Sequence, residues 1–201
     1  MSGKSAEVLK PQERHPTKQF SRREIKRKLT EARNESMYDP LTGLLSDQGF
    51  KKRLNEENQR AKREGQRIVI LVFDLNGLKK INDQLGHDTG DELIKTAANV
   101  LRASFRPTDL ISRRGDKADE FTVAVQVSEM EQVGSMYSRV DENLKQVNQD
   151  WDGYPITFPA GGTEHDSDFG TSFAIADRAM FDAKIQSKTT NQNVLLVRST
   201  S

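Results

Sequence analysis

The segment from Val69 to Asp91 constrains this chain more than any other: Val-Ile-Leu-Val-Phe-Asp-Leu-Asn-Gly-Leu-Lys-Lys-Ile-Asn-Asp-Gln-Leu-Gly-His-Asp-Thr-Gly-Asp. An apolar run of the buried-strand type stops at Asp74, and a Gly turn, a short amphipathic stretch and a second Gly-rich turn follow. A carboxylate at the end of a hydrophobic strand is costly unless a cation or hydrogen bonds compensate it. Metal-dependent nucleotidyl transfer requires a group of this kind, an acid on a rigid element directed at a phosphate-bound cation.

The composition narrows the choice of cation. The 201 residues include no Cys and three His, which removes thiolate sites and leaves little for a His-rich zinc site. A hard cation held by carboxylates, Mg²⁺ or Mn²⁺, is the remaining option. At 34% hydrophobic and 30% charged residues, the chain has a small core under a polar surface, or a disordered part. The formal charge of +1 hides an asymmetry: residues 1–37 carry ten Lys or Arg against five Glu, and the remainder nets −4. The basic residues are interleaved with Glu and only Phe20 is aromatic, so a solvated arm is favoured and no nucleic-acid contact is expected. No apolar run reaches the length of a membrane span and the first residues lack the apolar stretch of a signal peptide, which suits a cytoplasmic protein.

Three segments follow along the chain. Residues 1–19 are polar, contain Pro11 and Pro16, and read as a disordered basic arm. Residues 20–37 read as an N-terminal signalling or coiled-coil helix: Ser21 and Glu24 form a capping box, Phe20 and Ile25 a hydrophobic staple, and Ile25, Leu29 and Ala32 a narrow stripe. Residues 38–201 form the folded domain. Ser46 caps a helix whose inward face is Phe50, Leu54 and Ala61, stopped by Gly65. Strands are predicted over 67–75, 109–114, 120–127, 154–159 and 193–197, and helices over 78–85, 91–105, 128–149 (opened by a Ser128/Glu131 capping box) and 172–186. The order β-α-α-β-β-α-β-α-β gives an α+β, ferredoxin-like arrangement: a mostly antiparallel sheet flanked by helices, with an antiparallel hairpin at its centre. It sets the C-terminal end of the first strand beside the hairpin turn, so that Asp74 faces Asp119 and Glu120.

Five stretches then add up to a resemblance. Asp39-Pro40-Leu41-Thr42-Gly43-Leu44, Phe73 to Asp91, Arg106-Pro107-Thr108-Asp109, Ala118-Asp119-Glu120-Phe121 and Ala176-Asp177 with Ala183-Lys184 occur in the order and at the spacing of a GGDEF domain, the catalytic domain of diguanylate cyclases. The chain resembles that family from about Met37 to Lys188. The resemblance implies a palm-type nucleotidyl cyclase fold, two GTP molecules condensed to cyclic di-GMP and pyrophosphate, and a homodimer for turnover because each domain holds one GTP.

The resemblance also implies roles. Asp74, the Leu75 carbonyl and Asp119 correspond to the family's metal ligands. Glu120 is the second acid of the motif, placed near the metal and the attacking 3′-hydroxyl, either assisting its deprotonation or in a supporting role. Gly77 and Leu78 match backbone N–H donors to phosphate, Lys184 a phosphate-binding Lys, and Lys188 a position usually held by Arg; Lys79 adds charge nearby. Asn82 and Asp91 match the guanine-reading pair, where a carboxylate suits the donor edge of guanine. Asp91 is equally placed to cap the following helix. Arg106 and Asp109 match an inhibitory RxxD site for cyclic di-GMP, the competing assignment being a surface ion pair.

The motif itself departs from the family pattern. Aligning Gly115 and Ala118 with the two expected Gly residues leaves Asp116 and Lys117 as an insertion at the hairpin tip, and Ala118 adds a methyl group beside the nucleotide. A silent domain that binds cyclic di-GMP through Arg106 and Asp109 is therefore the competing function.

Overall fold

The computed structural model describes residues 21–24, 27, 37–115, 119–150, 156–166, 168–190 and 192–199. The expected disordered arm, most of the N-terminal helix with its staple and stripe, the insertion of Asp116 and Lys117, and Ala118 beside it lie outside these residues. The capping box is present: the Ser21 amide donates to Glu24 Oε2 at 2.8 Å and the Glu24 amide to Ser21 Oγ at 3.2 Å.

Helix α1 (Asp47–Arg63) starts at Ser46, whose side chain accepts from the Gly49 amide. It buries Phe50, Leu54 and Ala61. Strand β1 (Arg67–Asp74) follows, then α2 (Leu78–Leu85), α3 (His87–Ser104), β2 (Leu110–Arg113), β3 (Glu120–Val127), α4 (Glu131–Asp150), β4 (Ala160–His165), α5 (Phe169–Thr190) and β5 (Leu195–Arg198). The five strands form one sheet in the order β2-β3-β1-β4-β5. All pairings are antiparallel except β4 with β5. The central strand is therefore β1, and the β2–β3 hairpin lies to one side with β2 beyond it, not at the centre as expected.

Alternation along β1 and β3 separates two cores. Val69, Leu71 and Phe73 join Phe121, Val123 and Val125 in the larger cluster, which takes in residues of α3 and α4. Ile68, Ile70, Val72 and Ala124 join Phe50, Leu54, Ala176 and Met180 on the opposite face, under α1 and α5. Among the described residues no helix is long and apolar enough to cross a membrane.

Several boundaries differ from the sequence-based expectation. Of the strand expected over 154–159, residues 156–159 are not in a strand and 154–155 lie outside the described residues; the fourth strand is Ala160–His165. Pro159 has no N–H to give a ladder, although its carbonyl accepts from the Asp74 amide at 3.1 Å. The true strand, Ala-Gly-Gly-Thr-Glu-His, has little β-propensity but permits a close approach: a β-carbon on Gly161 would lie 2.0 Å from the Met180 nitrogen of α5. Helix α3 begins at His87, not Asp91. Gly86, at φ +89°, closes α2 through its amide on the Asn82 carbonyl and restarts the chain at once. At the start of α4 the side chain returning to the Ser128 amide is Gln132, at 3.0 Å, rather than Glu131, and the helix opens two residues later than a box built on Ser128 requires. Helix α5 is longer than expected at both ends.

Candidate functional site

The register of the sheet brings the two acidic strand ends together. Asp74 is paired with Glu120 as the last rung between β1 and β3, and the Leu75 amide donates to the Asp119 carbonyl at 2.8 Å. Asp74 is 3% exposed. The Lys184 ammonium, on α5, sits 2.7 Å from both of its carboxylate oxygens and hydrogen-bonds Oδ2. Oδ1 is buried and makes no directed hydrogen bond among the described residues, its charge being met by the Lys184 ammonium. Burial pushes the Asp74 carboxyl above its ordinary pKa, the Lys184 hydrogen bond and charge draw it back, and Asp119 pushes it up again.

Beside this pair opens a cleft of about 600 Å³, lined by Leu75, Asn76, Gly77, Leu78, Lys79, Lys80, Asp83, Gln84, Asp119, Lys184 and Lys188. Gly77 has φ +95°, a conformation that favours Gly, and it stands at the N-terminus of α2. Seven of the expected site positions thus share one cavity whose cations outnumber its acids. Lys80, Asp83 and Gln84 were not expected there. Their spacing on α2 relative to Gly77 (three, six and seven residues on) is the sequence signal that would have found them.

The donor set suits a hard cation. It offers carboxylate and carbonyl oxygen, the buried Asp74 carboxylate being ion-paired to Lys184. No group of three or more acidic or imidazole side chains gathers among the described residues. Mg²⁺ is commonly held by one or two carboxylates together with substrate phosphates, so two acids and a backbone carbonyl fit it.

Asn82 and Asp91 lie outside the lining of that cleft, on α2 and α3. Asp91 is exposed in the second turn of α3 and does not cap it, which removes the competing assignment. The Asn82 Oδ1 is buried with no hydrogen-bond partner among the described residues, and Gly90 stands directly against it. Arg106 and Asp109 are not a surface ion pair. The Arg106 backbone amide donates to Asp109 Oδ2 at 2.8 Å, burial raises the Asp109 pKa, and that amide draws it back. Both residues line a second cavity of about 350 Å³ together with Arg53 and Arg102.

Glu120 is not among the residues lining the nucleotide-sized cleft. Its carboxylate is 4% exposed as a residue and accepts from the Arg114 guanidinium at 3.1 Å. Asp39, in the first of the resemblance stretches, anchors the other arginine of the motif. Its carboxylate takes the Thr42 amide and hydroxyl at 2.8 and 2.6 Å and the Arg113 guanidinium at 3.1 Å.

Comparison with known proteins adds the following. A family profile described as "Diguanylate cyclase, GGDEF domain" matches residues 36–190. The diguanylate cyclase DgcP of Pseudomonas aeruginosa is 32% identical over 160 residues, which are 78% of this chain and 24% of that protein. The chain therefore spans about a quarter of the length of that relative. The crystal structure of the diguanylate cyclase SiaD from Pseudomonas aeruginosa, in complex with its activator SiaC, matches with a TM-score of 0.70 at 28% identity, covering 88% of this chain and 67% of that one. The coiled coil and GGDEF domain of DgcB from Caulobacter crescentus, in complex with c-di-GMP, matches in fold with a TM-score of 0.72 at 22% identity, covering 87% of this chain and 92% of that one.

Proposed function

The chain belongs to the GGDEF-domain family of diguanylate cyclases, and on that premise we propose that it condenses two GTP molecules into cyclic di-GMP with release of pyrophosphate. The observation that carries this is the buried Asp74 carboxylate beside a cleft lined by Asp119, Lys79, Lys80, Lys184 and Lys188. A divalent cation held by Asp74, the Leu75 carbonyl and Asp119 would neutralise phosphate charge and polarise the α-phosphate. Lys184 and Lys188 bind the triphosphate from α5, and Lys79 approaches it from α2. The Gly77 and Leu78 amides meet it at the N-terminus of that helix. Asn82 and Asp91 read the guanine edge. The 3′-hydroxyl of one GTP attacks the α-phosphate of the other, pyrophosphate leaves, and the step repeats to close the ring. Two copies of the domain face one another for this, since one domain holds one nucleotide.

The protein incubated with GTP and Mg²⁺ forms cyclic di-GMP on this reading, and Asp74→Ala or Asp119→Ala abolishes it. Absence of product at any Mg²⁺ or Mn²⁺ concentration overturns the assignment. One observation favours a second activity: the cavity lined by Arg53, Arg102, Arg106 and Asp109 offers guanidinium donors beside a carboxylate, suited to phosphate and guanine together. Cyclic di-GMP binding that is lost in Arg106→Ala, with no synthesis from GTP, would make the domain a receptor instead.

A further inference from the structure

We propose that Arg114 is a positioning residue: paired with Glu120 and seated on the Phe173 ring, it fixes the motif hairpin to α5 and so sets where Asp119 stands relative to Asp74. The proposal rests on the cyclase reading for its purpose, and on the following geometry for its substance. At the foot of the hairpin the Arg114 amide donates to the Glu120 carbonyl at 3.0 Å. The Arg114 guanidinium reaches the Glu120 carboxylate at 3.1 Å, with side chains 18% and 5% exposed. The same guanidinium lies 4.5 Å from the centre of the Phe173 ring. Phe173 precedes Lys184 by eleven residues on α5, close to three full turns, so the two share one helix face. Helix α5 thus holds the acidic end of the sheet at two places, through Phe173 on the β3 side and through Lys184 on Asp74.

Two consequences follow for Glu120. Its carboxylate is held in a buried ion pair by Arg114, across the last rung from Asp74, so on this proposal it contributes by fixing the hairpin. And its partner has to be Arg: only a planar cation pairs with a carboxylate at its edge while stacking an aromatic ring on its face.

The test is a Mn²⁺ titration followed by electron paramagnetic resonance, in the presence of the unreactive α,β-methylene analogue of GTP, alongside kcat and KM for GTP. Arg114→Ala is expected to weaken Mn²⁺ by about tenfold or more and to lower kcat while KM moves little, in the range seen for lost outer-sphere partners of a metal site. Arg114→Lys restores the pair but not the stack and falls between the two. Arg114→Ala and Glu120→Gln combined are no worse than the poorer single variant, since both break one contact. Should Arg114→Ala fail to fold, Phe173→Leu keeps the core apolar and removes the stack, and is expected to weaken Mn²⁺ in the same direction. Wild-type Mn²⁺ affinity in Arg114→Ala, or in both Arg114→Lys and Phe173→Leu, overturns the proposal. So does Glu120→Gln that binds Mn²⁺ normally yet makes no product, which would give Glu120 a part in the chemistry. A wild-type protein that makes no cyclic di-GMP defeats the cyclase reading alone, because the metal titration still decides the role of Arg114.

Discussion

Gly90 stands so close to Asn82 that a β-carbon on residue 90 would fall 1.8 Å from the amide oxygen. The glycine on α3 is what leaves room for the polar side chain on α2, in a place where that oxygen has no partner among the described residues. A buried unpaired acceptor is costly, and a base edge with an N–H donor would relieve it.

Gly90→Ala is accordingly expected to displace the Asn82 side chain. The KM for GTP should rise by about tenfold while inosine triphosphate, lacking the guanine amino group, is affected less, because a site built around hydrogen bonds discriminates through them. Steady-state kinetics with both nucleotides checks this.

Removing the ammonium from Lys184 leaves the Asp74 carboxylate buried without its cation. Lys184→Gln should destabilise the metal-free protein by roughly 1–3 kcal/mol, below the full cost of breaking a buried pair because the Lys side chain is partly open to solvent. Added Mg²⁺ with the unreactive GTP analogue should recover more of the melting temperature in this variant than in wild type, since binding to the folded state alone is stabilising. Thermal melts with and without the two additions give the comparison.

His165 is 4% exposed at the end of β4, its Nδ1 3.0 Å from the Ser172 hydroxyl oxygen. Burial lowers its pKa first and the Lys62 charge adds to this, while Asp166 and Asp168 oppose it. The unfolded chain therefore holds more protons than the folded one between the lowered value and about 6.5. The stability this group contributes is fully present above that upper limit and is lost as the pH falls through the folded pKa. Calorimetry from pH 7.5 to pH 5 should show a falling melting temperature, and His165→Gln should flatten that slope.

A methyl group on Gly161 would collide with the α5 backbone at Met180 and Ala176, where no rotamer can give way. Gly161→Ala should cost about 3 kcal/mol or more, at the upper end of overpacking effects. Chemical denaturation measures it directly.

The site was legible in the sequence wherever a residue's role depends on its own element. Asp74 ends an apolar strand and Gly77 opens a helix, whereas Lys184 was picked out by the family resemblance alone. That the end of β1 lies beside the hairpin turn followed from element order, but the exact pairing of Asp74 with Glu120 did not. What could not be read was contact between elements. Nothing local in Arg114 announces Phe173, which is 59 residues away in sequence. The displaced fourth strand has a related cause. Tyr-Pro-Ile-Thr-Phe-Pro has the residue types of a strand and Ala-Gly-Gly-Thr-Glu-His does not. Tertiary packing of α5 on the glycines outweighed propensity. Asp91 is a good helix cap by residue type, yet α3 starts four residues earlier, where the positive φ at Gly86 turns the chain.

Asp74 and Lys184 belong to the layer beneath α1 and α5, whereas Gly77, Asn82 and Asp91 are carried by the helices on the other face of the sheet. A nucleotide held by both sets would bridge the two halves of the molecule around the rim of the sheet. Occupancy would then be felt as a mechanical tie, slowing amide exchange at the ends of α2 and α5 together even though these helices lie on opposite faces of the sheet.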